Sequence, residues 1–150
     1  MKTSIIKSCF SEAFKSVLSN DIYLLYKDLS RNIWTQNIDN KANCYFKIPD
    51  DNWLVTSNSI VLGNWIEDYN CDYSVKVHNL LCDSFEWNNK DVVWFCINIE
   101  IVIESSWLDF KKYWLCFLEC EDDCPIVINS NNKKSALIFT PLGDFVKIFN

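Results

Sequence analysis

Between Val92 and Ile103 the chain alternates without interruption. Val93, Phe95, Ile97, Ile99, Ile101 and Ile103 share one parity, and Trp94, Cys96, Asn98 and Glu100 share the other. Successive side chains of a strand point to opposite faces, so this pattern predicts one long, mostly buried β-strand. A helix is expected directly after it. Ser106 and Asp109 make a capping-box-like start, with Asp in place of the usual Glu or Gln. Trp107, Phe110, Trp114, Phe117 and Leu118 then mark a buried stripe running to about Glu119.

The rest of the chain is read against that unit. Ile6, Phe10, Ala13, Phe14 and Val17 fall on one face at helical spacing. Asp21 can cap a second helix whose stripe is Ile22, Leu25, Tyr26, Leu29 and Ile33. After an Asn-rich loop, Cys44 to Ile48 reads as a short strand stopped by Pro49-Asp50-Asp51. Residues 52 to 70 are ambiguous: Trp53-Leu54-Val55 fits a strand, and Ser57 or Asn58 can cap a short helix ending near Asp68. Asp72 caps the next expected helix, with Val75, His78, Leu81, Cys82 and Phe85 on its stripe. Pro125 to Ile128 and Ala136 to Thr140 flank a hairpin tip at Asn129 to Asn132. Pro141-Leu142-Gly143 then places a glycine where a type II turn needs positive φ, before a strand over Phe145 to Phe149. The expected fold is α+β in a single domain, 1–150: a helical N-terminal part, then a strand-helix-strand meander with an antiparallel sheet.

Composition excludes several classes. Of 150 residues 49% are hydrophobic and only two are glycine and three proline, so a disordered or collagen-like chain is ruled out. The net charge of −6, with no Lys/Arg-rich stripe, argues against nucleic acid; its plain reading is solubility and its sharper one attraction to a basic partner. The apolar run from Val92 to Ile103 is too short to span a bilayer and carries Asn98 and Glu100, so no membrane is expected. The eight cysteines are too sparse for a disulfide scaffold and mostly sit in apolar runs. With Lys7 and Glu12 interrupting the first apolar stretch, a cytoplasmic chain with reduced thiols is the expectation.

No catalytic residue is predicted. Ser or Cys nucleophiles normally need an adjacent base, and the single histidine, His78, lies on the apolar side of a helix. The two glycines, Gly63 and Gly143, are isolated, so no phosphate-cradling loop exists. Cys116, Cys120 and Cys124 are spaced by four, which on a helix aligns three sulfurs on one face for a zinc, yet a fourth ligand is missing and Pro125 ends the helix. No metal and no cofactor is therefore expected. Two acidic groups stand out instead. Glu67, Asp68 and Asp72 lie among Trp65, Tyr69 and Tyr73; Glu121, Asp122 and Asp123 follow a helix end, where carboxylates oppose the dipole. Aromatics beside carboxylates suit a protein interface, the alternative being an ordinary amphipathic surface; the second group, which Glu119 adjoins, reads either as a solvated loop or as a surface for a cation or basic protein.

The stretch Ser106-Trp107-Leu108-Asp109-Phe110-Lys111-Lys112-Tyr113-Trp114-Leu115-Cys116-Phe117-Leu118, with Asp122-Asp123-Cys124-Pro125-Ile126-Val127-Ile128 and Ala136-Leu137-Ile138-Phe139, resembles small bacterial immunity proteins of contact-dependent growth inhibition and related toxin systems. The resemblance covers roughly the last 60 residues and is one of aromatic core patterning. It implies a cytosolic protein that binds and blocks one cognate toxin domain, often a basic nuclease. Glu67, Asp68, Asp72, Glu121, Asp122 and Asp123 are then the expected toxin-binding charges, with Trp65 and Tyr69 as anchors. A protein-binding adaptor and a His-independent enzyme are the alternatives.

Overall fold

The structure, a computed structural model, describes residues 1–66, 74–120 and 123–150, with the side chains of 74, 75, 132 and 133 excepted. Eight antiparallel strands form one sheet: β1 (Lys2–Ser4), β2 (Tyr23–Leu25), β3 (Asn58–Asn64), β4 (Val92–Asn98), β5 (Ile101–Ser106), β6 (Ile126–Asn129), β7 (Asn132–Phe139) and β8 (Asp144–Phe149). Their order is β1-β2-β5-β4-β6-β7-β8-β3. Four helices accompany it among the described residues: α1 (Lys27–Asn37), α2 (Trp53–Thr56), α3 (Ser74–Ser84) and α4 (Trp107–Leu118).

The alternating run is two strands, not one. β4 and β5 form a hairpin closed by Ile99-Glu100, where the Asn98 side chain accepts a hydrogen bond from the Glu100 amide at 2.9 Å. Its register explains why the turn is hidden. Phe95 faces Ile103 and Val93 faces Ser105, so these cross-strand partners share parity, and a bulge between Cys96 and Asn98 shifts the register to Asn98↔Ile101 only beside the turn. Glu100 is held there by Lys27, at 3.3 Å, and Arg31, both from α1. These two cations hold its carboxyl below the ordinary value.

The helical N-terminal part is also corrected. β1 begins at Lys2, a 3₁₀ turn covers Ile5–Lys7, and turns follow. Ser8 shows the local cause: its hydroxyl donates to the Ile5 carbonyl at 2.7 Å and accepts from the Phe10 amide at 3.1 Å. Serine side chains that take backbone partners in this way compete with the helix ladder. Phe14 and Val17 are nevertheless buried, whereas Ile6 is exposed. The second expected helix is displaced rather than absent. Ile22 is buried, Tyr23–Leu25 pair as β2, and helix begins at Lys27. Cys44–Ile48 carries a 3₁₀ turn at Tyr45–Lys47 instead of a strand.

Over residues 52–64 the expectation is reversed, and the part of it beyond Ile66 lies outside the described residues. Asn52, not Ser57, caps a helix: its side chain accepts from the Leu54 amide at 2.9 Å and donates to the Ile38 carbonyl at 2.7 Å. The strand lies over Asn58–Asn64. The later elements follow expectation. Ser106 accepts from the Asp109 amide at 3.1 Å, and Trp107, Phe110, Trp114, Phe117 and Leu118 are buried on α4. Gly143 has φ +91°, and a Cβ there would stand 2.6 Å from Ile66, so only glycine fits the turn.

Helices cover both faces of the sheet. One core layer joins Val93, Phe95, Ile103, Val127, Leu137 and Phe145 to α3 and α4. Its centre is aromatic: Trp107 stacks on Phe110 at 5.7 Å between ring centroids, and Phe117 meets Phe110 at 4.9 Å and Phe14 at 5.1 Å. Such pairs add about 0.5–1.5 kcal/mol each beyond burial. The opposite layer joins Cys96, Val102, Ile126, Ile128 and Ile138 to Ile33 and Trp34 of α1 and to Leu54. Alternate residues of β4 and β6 thus enter different layers, the reason their runs are apolar on both parities.

Candidate protein-binding edge

The sheet ends in two different strands. β3 lies outermost beside β8, with register Asn58↔Phe149, Ile60↔Lys147 and Val61↔Val146. Among the described residues no strand pairs with its outer side. Asn58, Ser59, Ile60 and Val61 are all exposed, Ile60 by 52% and Val61 by 60%. The strand, Asn58-Ser59-Ile60-Val61-Leu62-Gly63-Asn64, holds no charge and no proline, the devices that blunt an edge against pairing. Its backbone is shaped from below. A bulge falls between Val61 and Gly63, and a Cβ on Gly63 would come 2.9 Å from the Phe145 ring. Past the strand, the Trp65 amide donates to the Gly143 carbonyl at 2.6 Å, tying the end of the edge to the β7–β8 turn.

Of the residues expected to bind a toxin, Glu67, Asp68, Tyr69, Asp72, Glu121 and Asp122 lie outside the described residues. Trp65 and Asp123 are described. Trp65 is half-buried against the aromatic core layer, and its indole N–H has no hydrogen-bond partner among the described residues. Asp123 is exposed and precedes β6. The register chain Ile126↔Ile138, Ile138↔Val146 and Val146↔Val61 puts Asp123 and Trp65 at the same end of the sheet. Three strand spacings separate them, roughly 14 Å across the sheet. Ile60 and Val61 were not singled out by sequence, although a β-branched pair between Ser59 and Gly63 is itself a strand signal.

The cysteine triplet does not continue one helix face. α4 ends at Leu118, and Cys124 sits beyond it with φ 65°. Burial pushes the Cys120 and Cys124 thiols up to about 12 and raises Cys116 as well. Metal ligation needs the thiolate, which burial of this kind opposes. Among the described residues no group of three or more His, Cys, Asp or Glu side chains is placed to hold a metal ion. His78 is half-buried on α3, while Cys82 on the same helix is exposed rather than part of the buried stripe. No helix among the described residues is long and apolar enough to cross a membrane.

These features define an antiparallel α+β protein with helices on both sheet faces and one apolar edge left open among the described residues. The chain belongs to the family described as protein of unknown function DUF2947, whose model matches residues 11–147. No curated protein and no solved structure matches it.

Proposed function

We propose that this chain works by binding another protein, and that its partner is a bacterial toxin domain which it neutralises. The observation that carries the binding half of this reading is the β3 edge. Its uncharged, proline-free backbone can accept an extended strand of a partner, in the mode where main-chain hydrogen bonds supply affinity and side-chain pockets supply selectivity. Ile60 and Val61 are then the apolar contacts flanking the new ladder. The net charge of −6 favours encounter with a basic partner, and nuclease toxins tend to be basic. Glu67, Asp68 and Asp72, with Tyr69, follow this edge directly in sequence. The resemblance of the C-terminal part to immunity proteins supplies the toxin half.

Co-expression with the C-terminal domain of the protein encoded immediately upstream is the test. The expected result is growth rescue together with a 1:1 complex. A complex with no rescue would move the adaptor reading forward. A toxic neighbour that is neither bound nor neutralised would overturn the toxin reading.

A further inference from the structure

Independently of the binding reading, we propose that Cys82 is a reactive thiol, activated by the buried ammonium of Lys111, that forms mixed disulfides with low-molecular-weight disulfides. Lys111 lies on α4 and is only 5% exposed. Its Nζ donates to Cys82 Sγ at 3.2 Å and to Asn89 Oδ1 at 2.8 Å, and stands 5.5 Å from the centre of the Trp107 ring. No carboxylate among the described residues forms an ion pair with it. Asp91, two residues from Asn89, is engaged by the Asn88 amide and by Asn129. On the α3 side His78 and Asp83 flank Cys82, and neither bonds to Lys111.

A buried cation without a counter-anion is costly. The Asn89 carbonyl and the indole ring offer partial negative charge. Among the described residues the sulfur is the only atom bonded to this ammonium that can carry a whole one. The Lys111 ammonium therefore stands hydrogen-bonded to the sulfur that attacks. Access coincides with this activation at Cys82, which is exposed. Cys96 and Cys124 are buried, and Cys116 and Cys120 are half-buried with thiols raised by burial. Cys9 is exposed but has no ammonium bonded to it among the described residues.

The reaction balances without a further oxidant. Cys82 Sγ, its proton released to solvent, attacks one sulfur of the disulfide. The new S–S bond forms as the old one breaks, and the electron pair leaves on the departing thiolate, which takes up a proton. Cys82 is oxidised, the disulfide is reduced, and Lys111 remains an ammonium.

The test exposes the full chain to oxidised glutathione at neutral pH and maps adducts by peptide mass against time. Cys82 is expected to react first, on the order of tenfold faster than Cys9. Lys111→Met should reduce the Cys82 rate to near that of Cys9 while leaving Cys9 unchanged, and Lys111→Arg should restore most of it. A Cys82 rate no greater than that of Cys9 in the unmodified chain overturns the proposal, as does a ratio unmoved by Lys111→Met in a folded variant. Labelling of Cys96 and Cys124 would reveal that the Met variant has unfolded. The decision then rests on the unmodified chain and the Arg variant: a ratio of one in either refutes the proposal, and a high ratio in both sustains it.

Discussion

The two edges of the sheet differ in how they meet solvent. β1 is three residues long, and Lys2 at its start is fixed by Glu104 at 2.8 Å and lies 4.2 Å from the Tyr23 ring centre. Glu104 is in turn gripped by the Trp94 indole N–H at 3.1 Å. A short strand carrying a tethered lysine is a poor template for another chain. β3 has seven residues, two exposed β-branched side chains and no charge at all. Both strands close the same sheet, so the contrast is a matter of local sequence rather than of fold. An edge left apolar on an otherwise acidic protein is where we place the partner.

The largest expected effect lies beneath that edge. Phe145→Ala removes the fully buried ring over which β3 bulges and should cost about 3–5 kcal/mol in denaturant unfolding. A loss under about 1 kcal/mol would mean that β3 is not seated on this ring. Next, Ile60→Lys combined with Val61→Lys gives β3 the protection that β1 already has. Partner affinity should fall by about 2 kcal/mol or more, roughly 30-fold, by calorimetric titration. Stability should change by no more than about 0.5 kcal/mol for each exposed substitution. The mirror experiment, Thr3→Lys on β1, should leave affinity where it was. Binding lost in both variants alike would erase the distinction between the edges.

Gly63→Ala falls between these and the surface effects. Its methyl meets the Phe145 ring at 2.9 Å, so a loss of about 1–3 kcal/mol is expected from crowding. The smallest effect is at β1. Lys2 is held above its ordinary value chiefly by the hydrogen bond from its ammonium to Glu104. A lysine with a raised folded value contributes stability below its unfolded value, near 10.5, and loses it as pH rises through the folded one. Lys2→Met should therefore differ from the unmodified chain by about 0.2–1 kcal/mol at neutral pH, discounted toward the low end because the lysine side chain is 45% exposed. The two unfolding curves should converge at strongly alkaline pH.

What sequence could reveal divides along the same line between local and distant causes. The Ser106 cap, the α4 stripe and the Gly143 turn were legible because each depends on residues a few positions apart. The β4–β5 turn was not. Ile99-Glu100 contains neither glycine nor proline, the register preserves parity from Val92 to Cys96, and the cations that hold Glu100 come from α1, about seventy positions away by sequence number. The N-terminal stripe failed for a local reason that spacing does not register: the Ser8 hydroxyl bonds the Ile5 carbonyl and the Phe10 amide in competition with a helix ladder. Openness of β3 is likewise a property of strand order. Nothing in Asn58–Asn64 states that no strand among the described residues lies beyond it. Cys82 and Lys111 are 29 residues apart and meet only because α3 packs on α4.

Hydrogen exchange along Asn58–Asn64, compared between the free chain and the co-purified complex, tests the central claim most directly. Amides of an edge strand alternate between the ladder and the open side. The alternate amides facing away from β8 are expected to exchange rapidly in the free chain and to become protected in the complex. Unchanged exchange across β3, with new protection elsewhere on the surface, would contradict it.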